Sequence, residues 1–422
     1  MEKQTHPINL YANTSRQRVI WGILLIVVGA FIALFFGSNV QLGQNATFGL
    51  NLSDANAIII PDLIVPARIS IYLLALVAIG IGAWHMARGV RSTGILIGVL
   101  SFTFIAAFLV WAAAGKSFNL EGMISSSLVR ATPIALAALC GVISERTAVI
   151  NIGIEGIMLI SAQTAVIAAT MTHNLVLGLF VAIITGALVA ALHAVLCIHY
   201  KVNHIISGTA INILGTGITT FVSQKYLEKN IDMLNNSGSF PTITIPILSK
   251  IPIIGPALFE NNIIVYLMLV LVIAMQIMLF STSWGLRTRA VGEHPRAADT
   301  LGINVFVMRY VNTIIGGMIA GLGGAYFTIG AVGRFDQDMT AGKGFIGLAA
   351  MIFGNYTPLG AFSSSVIFGF ADSLQVKMQI LSLPIPSEFL QMIPYIVTII
   401  VLAGVVGGTS VPAADGTPYE KQ

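Results

Sequence analysis

Residues 285–304, GLRTRAVGEHPRAADTLGIN, bring Arg287, Arg289, Glu293, Arg296 and Asp299 together in a chain where only 9% of residues are charged. Side chains of these types can form charge-assisted pairs with a soluble partner. They can equally be the ordinary basic loop that holds one side of a membrane protein in the cytoplasm. A second constellation lies in 141–158, where Asn151 and Glu155 sit four residues apart among apolar neighbours. On a helix both would face one side. A carboxylate in such surroundings faces a polar path or a structural partner. Arg130 and a backbone group are the partners the sequence offers.

Covalent chemistry has no candidate. The chain carries no GxxxxGK[ST] phosphate loop, no HExxH and no nucleophile elbow, so no catalytic residue is assigned. Cys140 and Cys197 lie in or beside apolar runs with no metal or disulfide spacing, which makes them small buried hydrophobes and leaves no metal site. His193 and His199 sit near one end of a span, as interfacial histidines do, and no chain of buried carboxylates and histidines suggests a proton-driven pump. The formal charge of +4 is the usual basic excess of a membrane protein and gives no reason to expect nucleic acid.

The elements that must position these residues are membrane helices. Hydrophobic residues make up 56% of the 422 positions, and the mean hydropathy is +0.89. Apolar runs of roughly 20 residues match a bilayer core. They lack the alternation of barrel strands, so the class is an all-α polytopic membrane protein. Runs at 19–38, 69–87, 94–114, 123–143, 149–171, 175–199, 203–223, 262–283, 305–330, 359–378 and 389–408 are the expected spans, with 343–355 only half-length. The total is about 10–12, both termini cytoplasmic. Segments 39–68 and 224–261 read as external loops, the second with short helical pieces.

Within the charged island, Pro295 suits the first turn of a helix and Gly302 the position just past its end. Between them, Ala297, Ala298 and Leu301 share a face, while Arg296 and Asp299 lie three apart on another. Such a short amphipathic helix suits a groove on a partner. Gly317–Gly321 and Ala320–Gly324 make a small-residue stripe for close helix packing. GNYTPLG at 354–360 has the look of an interrupted helix or a turn.

The fragments GVISERTAVINIGIEG, GLRTRAVGEHPRAADTLGIN, GKGFIGLAAMIFGNYTPLGAF and PYIVTIIVLAG occur in this order. Together they resemble the permease subunits of bacterial ABC importers for simple sugars and nucleosides, over roughly 125–422. The ending VPAADGTPYEKQ is similar to the nucleoside branch. The resemblance implies a type II-like ABC importer permease fold in the bacterial plasma membrane. Separate ABC ATPase subunits would bind the ATP, so the chain would be no enzyme and need no cofactor. A second permease, expected to be a paralogue, and an extracellular substrate-binding lipoprotein complete the implied complex. Coupling to the ATPases falls to Arg287, Arg289, Gly292, Glu293, Pro295, Arg296, Ala297, Asp299 and Gly302. The substrate path is expected at Asn151, Glu155, Gln163, Asn212, Phe327 and Asn355, which suit a nucleoside or a sugar. Domains follow as a 1–120 extension with about three spans, a 121–410 permease core and a 411–422 cytoplasmic tail. Ala148 stands where this family usually has glycine, and the first 120 or so residues match its motifs poorly. The alternatives are a simple-sugar permease, an ion-coupled secondary transporter, and a non-transporting scaffold.

Overall fold

The computed structural model describes residues 15–50, 60–89, 93–381, 386–392 and 410–421. Among the described residues, nine helices are long and apolar enough to cross a membrane. Residues 1–14, and the expected final span 389–408 beyond residue 392, lie outside the described residues. The chain divides into two compact units, residues 1–122 with 378–385, and residues 123–377 with 386–422.

In the first unit, α1 (Ser15–Phe31) runs on through a wider turn to Gly37, and α2 (Ala67–Arg88) and α3 (Thr93–Ala112) follow. Glycines let α1 and α2 touch: a Cβ at Gly82 would lie 2.9 Å from the Gly22 carbonyl oxygen. Segment 39–68 holds more order than a loop. Strand β1 (Asn45–Gly49) pairs antiparallel with β2 (Leu63–Pro66) and parallel with β3 (Ser117–Asn119). Pairing across about seventy residues leaves no local signature.

The second unit opens with α4 (Leu120–Glu145), whose first residues belong to the first unit. Then come α5 (Ile154–Thr172), α6 (Leu175–Ala194) and α7 (His204–Val222). Segment 224–261 holds short pieces, as its prolines suggest: α8 (Ile231–Leu234), β4 (Ile243–Thr244), α9 (Ile254–Phe259) and β5 (Glu260–Asn261). After α10 (Ile263–Ser281), the island folds as α11 (Ser283–Glu293) and α12 (Pro295–Thr300). Next are α13 (Val305–Phe327), which continues to Val332, α14 (Lys343–Phe353), α15 (Pro358–Ile380) and α16 (Ser387–Gln391).

Helices α4, α5 and α13 form the centre of this unit, with 83%, 72% and 72% of their apolar windows buried. Only 28% of α7 is buried, so it presents an open face to lipid or another chain. The small-residue stripe is what lets α13 enter. A Cβ on Gly317 or Gly321 would strike α6 at the carbonyl oxygens of Gly186 and Ala182, and one on Gly324 would strike Met158 of α5.

Helix α14 has eleven residues, about 16 Å, against a hydrocarbon core of about 30 Å. Residues 333–342, which lead into it, are bends and turns rather than helix. From the end of α13 the backbone doubles back along α5: Phe335 packs with Leu159, Ala162 and Val166, and Thr340 reaches Glu155. Helix α14 then continues beside α4, Gly347 against Ala137 and Met351 against Gly141.

Candidate functional site

The start of α14, after the turns at 337–342, presents helix N–H groups deep in the unit that need acceptors from elsewhere. Glu155, 8% exposed, supplies the acceptors. Its Oε1 accepts from Thr340 Oγ1 at 2.6 Å and Gly342 N at 2.8 Å, and its Oε2 accepts from Gly344 N at 2.6 Å. A remote carboxylate thus caps α14, where the helix dipole also favours negative charge. Gly344 permits the approach, since a Cβ there would lie 2.7 Å from the Glu155 backbone. Beside the cap, Asp372 of α15 pairs with Arg130 at 3.0 Å and with Lys343 at 3.1 Å. Two carboxylates and two cations therefore balance around the break.

This geometry revises two expectations. Arg130 is the partner of Asp372, not of Glu155. Asn151 does not share a helix face with Glu155, because α5 begins at Ile154 and Asn151 lies in the preceding turn, where it accepts from Gly153 N at 3.1 Å. Other path candidates are also bonded within the chain. Asn212 accepts from Gly156 N at 2.8 Å and donates to Ile152 O at 2.9 Å, stitching α7 to the start of α5. Gln163 donates to Thr219 O at 2.8 Å. Asn355 accepts from Ser410 N at 2.8 Å. Phe327 is half-buried, packed near Ile157, Met158 and Ala320.

At the island end, Pro295 opens α12 and Gly302 follows it with φ +81°. His294 breaks α11 from α12, so the island is two helices meeting at a corner. Arg287, Glu293, Arg296, Ala297 and Leu301 are exposed, Leu301 by 82%. Ala298 is buried, so the three apolar residues expected to share a face split between the core and the surface. Asp299 is half-buried, and Gly292 packs so closely that a Cβ would strike the Arg146 carbonyl oxygen. Arg289 is also half-buried, its guanidinium 5.1 Å from the Phe280 ring centre.

Residues 410–421 lie along this corner. Ala414 N donates to Gly292 O at 2.9 Å, Ala413 N to Glu293 Oε2 at 3.2 Å, and Gly416 N to Ala148 O at 3.2 Å. Arg309 Nη1 donates to Thr417 O at 3.0 Å. Tyr419 is buried with Val291, Ala298, Val305 and Met308. A cavity of about 480 Å³ remains between Glu293–Arg296 and Ala413–Glu420. Burial pushes the Asp415 carboxyl up to about 6. Ala148 itself has φ +64°, a left-handed conformation that costs a non-glycine residue roughly 1 kcal/mol. Complete burial and the bonds to Glu145 O and from Gly416 N hold it there.

The sequence reading missed Thr340, Lys343 and Asp372 as partners in the break. Asp372 had a signal: a carboxylate within the apolar run 359–378. The tail contacts had none, because twelve mostly small and polar residues do not specify where they dock.

The family described as branched-chain amino acid transport system / permease component matches residues 123–402. The nucleoside ABC transporter permease protein NupC of Lactococcus lactis is 39% identical over 72% of this chain and 98% of its own. The guanosine ABC transporter permease protein NupQ of Bacillus subtilis is 39% identical over 71% of this chain and 96% of its own. A candidate glucose ABC transporter permease protein of Haloferax volcanii is 37% identical over 62% of this chain and 79% of its own. The first two organisms also hold second, more distant relatives, NupB and NupP, each 24% identical to this chain. No solved structure matches.

Proposed function

Since the chain belongs to the family of permease components of branched-chain amino acid transport systems, we propose that it is the membrane-spanning subunit of an ATP-driven importer for nucleosides. The observation that carries this reading is the 39% identity to NupC and NupQ across nearly their whole lengths. Nucleosides are uncharged, which suits a path whose charges are already paired. The half-buried ring of Phe327 is the candidate stacking surface for a base.

The remaining parts of the importer are partners. ATP binds to separate ATPase subunits, which dock on the exposed face of α11 and α12 and turn nucleotide-driven closure into movement of the spans. A paralogous second permease covers the open face of α7, a reading supported by the NupB and NupP relatives found beside NupC and NupQ. An extracellular lipoprotein delivers the substrate. In this arrangement the island lies in the cytoplasm, as do both termini, and the bilayer is the plasma membrane. The permease performs no catalysis and binds no cofactor.

The break at residues 340–344 supplies the moving element. A half-helix capped by one carboxylate is a discrete unit that can tilt with α4 and α5, as interrupted helices do in other transporters. The test is uptake of labelled guanosine, adenosine and glucose by the full complex in liposomes containing ATP. Nucleosides accumulate only with ATP, and glucose does not compete. Preferred uptake of glucose would move the substrate to sugars. Uptake without ATP that collapses with the proton gradient would replace the importer by an ion-coupled carrier.

A further inference from the structure

The last twelve or so residues make more contacts than a cytoplasmic tail needs for anchoring. Five separate pieces of the second unit meet there. Ala413 and Ala414 bond to the end of α11. Gly416 bonds to the turn between α4 and α5 through Ala148. Arg309 of α13 holds Thr417, and the Tyr419 ring lies 5.4 Å from that of Phe306 on the same helix. Ser410 bonds to Asn355 in the turn between α14 and α15. Glu420 pairs with Lys201 in the turn before α7.

The island reaches the spans both by direct contacts and through this tail. Gly292 touches the Arg146 backbone directly, and Arg146 donates through Nε to Tyr356 O at 2.8 Å, which ties the α4 end to the α14–α15 turn. These contacts tie α11 to the spans, as do the bonds of Asn312 on α13 with Trp284 and Thr288, each 3.1 Å, whereas α12 is only six residues long. A helix that short has no stability of its own. Its buried side, Ala298, packs against Val291, Val305, Met308 and Tyr419. Without the Tyr419 ring that cluster opens to water on one side, and the corner at His294 loses its backing.

We propose that residues 410–421 are a positioning strut, with Tyr419 as its anchor, that fixes α11 and α12 to the ends of α4, α13 and α14 so that a push on the island moves these elements together. This deepens the reading above, since it supposes that an ATPase does the pushing. The strut touches neither substrate nor nucleotide. Its role is to keep the island stiff and in register.

The test compares the complete complex with one lacking 411–422, with Tyr419→Ala, and with Tyr419→Phe, which keeps the ring. Backbone hydrogen exchange of residues 285–304 is measured together with uptake per ATP hydrolysed. Truncation and Tyr419→Ala raise exchange in the island about tenfold or more and lower uptake per ATP by about tenfold. Tyr419→Phe behaves as the parent, and a peptide of residues 410–422 added to the truncated complex restores both readouts, which separates loss of the strut from misfolding. Unchanged exchange overturns the proposal, and so does a loosened island with uptake per ATP intact. If the parent complex shows no ATP-driven uptake, the importer reading fails, while the exchange comparison still decides whether the tail positions the island.

Discussion

Replacing Glu155 with Ala abolishes transport while leaving ATPase docking intact. The carboxylate accepts three hydrogen bonds at the start of α14, from Thr340, Gly342 and Gly344. Removing it leaves buried N–H groups without partners and unbalances the charges of Arg130, Lys343 and Asp372. Each buried donor left unpaired costs about 1–3 kcal/mol, and three donors lose their acceptor here. If that cost falls on the half-helix, the population of the ordered break drops by about two orders of magnitude or more. Uptake at saturating substrate should fall accordingly. Glu155→Gln keeps an acceptor but loses the charge and should fall between the two. Thr340→Val removes one neutral donor and should cost about 1 kcal/mol. Uptake rates and melting temperatures of the three variants check the order. Wild-type uptake by Glu155→Ala would show that the cap plays no part in transport.

The second large effect is at the island. Arg287→Glu with Arg296→Glu reverses two exposed charges on the face proposed to dock the ATPase. Charge reversal at a contact rim slows association and places like charges together, at a cost of several kcal/mol. The expected result is uptake lowered at least about tenfold at limiting ATPase, with hydrolysis by the free ATPase unchanged. Arg289 belongs in a different experiment. Its guanidinium lies over Phe280 and its Nε is buried, so Arg289→Glu disturbs packing before it disturbs docking. Unaltered uptake and ATPase affinity in the Arg287/Arg296 double variant would remove the island from the coupling route.

These residues also show how far the sequence could be read. Pro295 and Gly302 marked the ends of a helix because each has a local backbone preference, and the structure places them there. The stripe Gly317–Gly321 was legible because small residues at that spacing have one common use, and α6 packs on it. The half-length 343–355 was visible from apolar run length alone.

What could not be read depends on contacts between distant residues. Asn151 and Glu155 looked like neighbours on a helix face, but residues 149–153 are not helical and α5 begins only at Ile154, so spacing misled. Glu155 looked like a partner for Arg130, but α15 brings Asp372 to that arginine across 242 positions of sequence. The β1–β3 pairing and the tail contacts are of the same kind: no short window contains both halves of the interaction.

The most direct test is a thiol placed at Leu301, the most exposed apolar residue of the island. Cys140 and Cys197 are both buried, so the new thiol is the reactive one among the described residues. Oxidative cross-linking in the assembled complex should join Leu301→Cys to a cysteine introduced on the ATPase surface, and an impermeant thiol reagent added outside intact cells should leave it unlabelled. Labelling from outside, or no cross-link in a complex that still transports, would contradict the assignment of the island as the site where ATP-driven force enters.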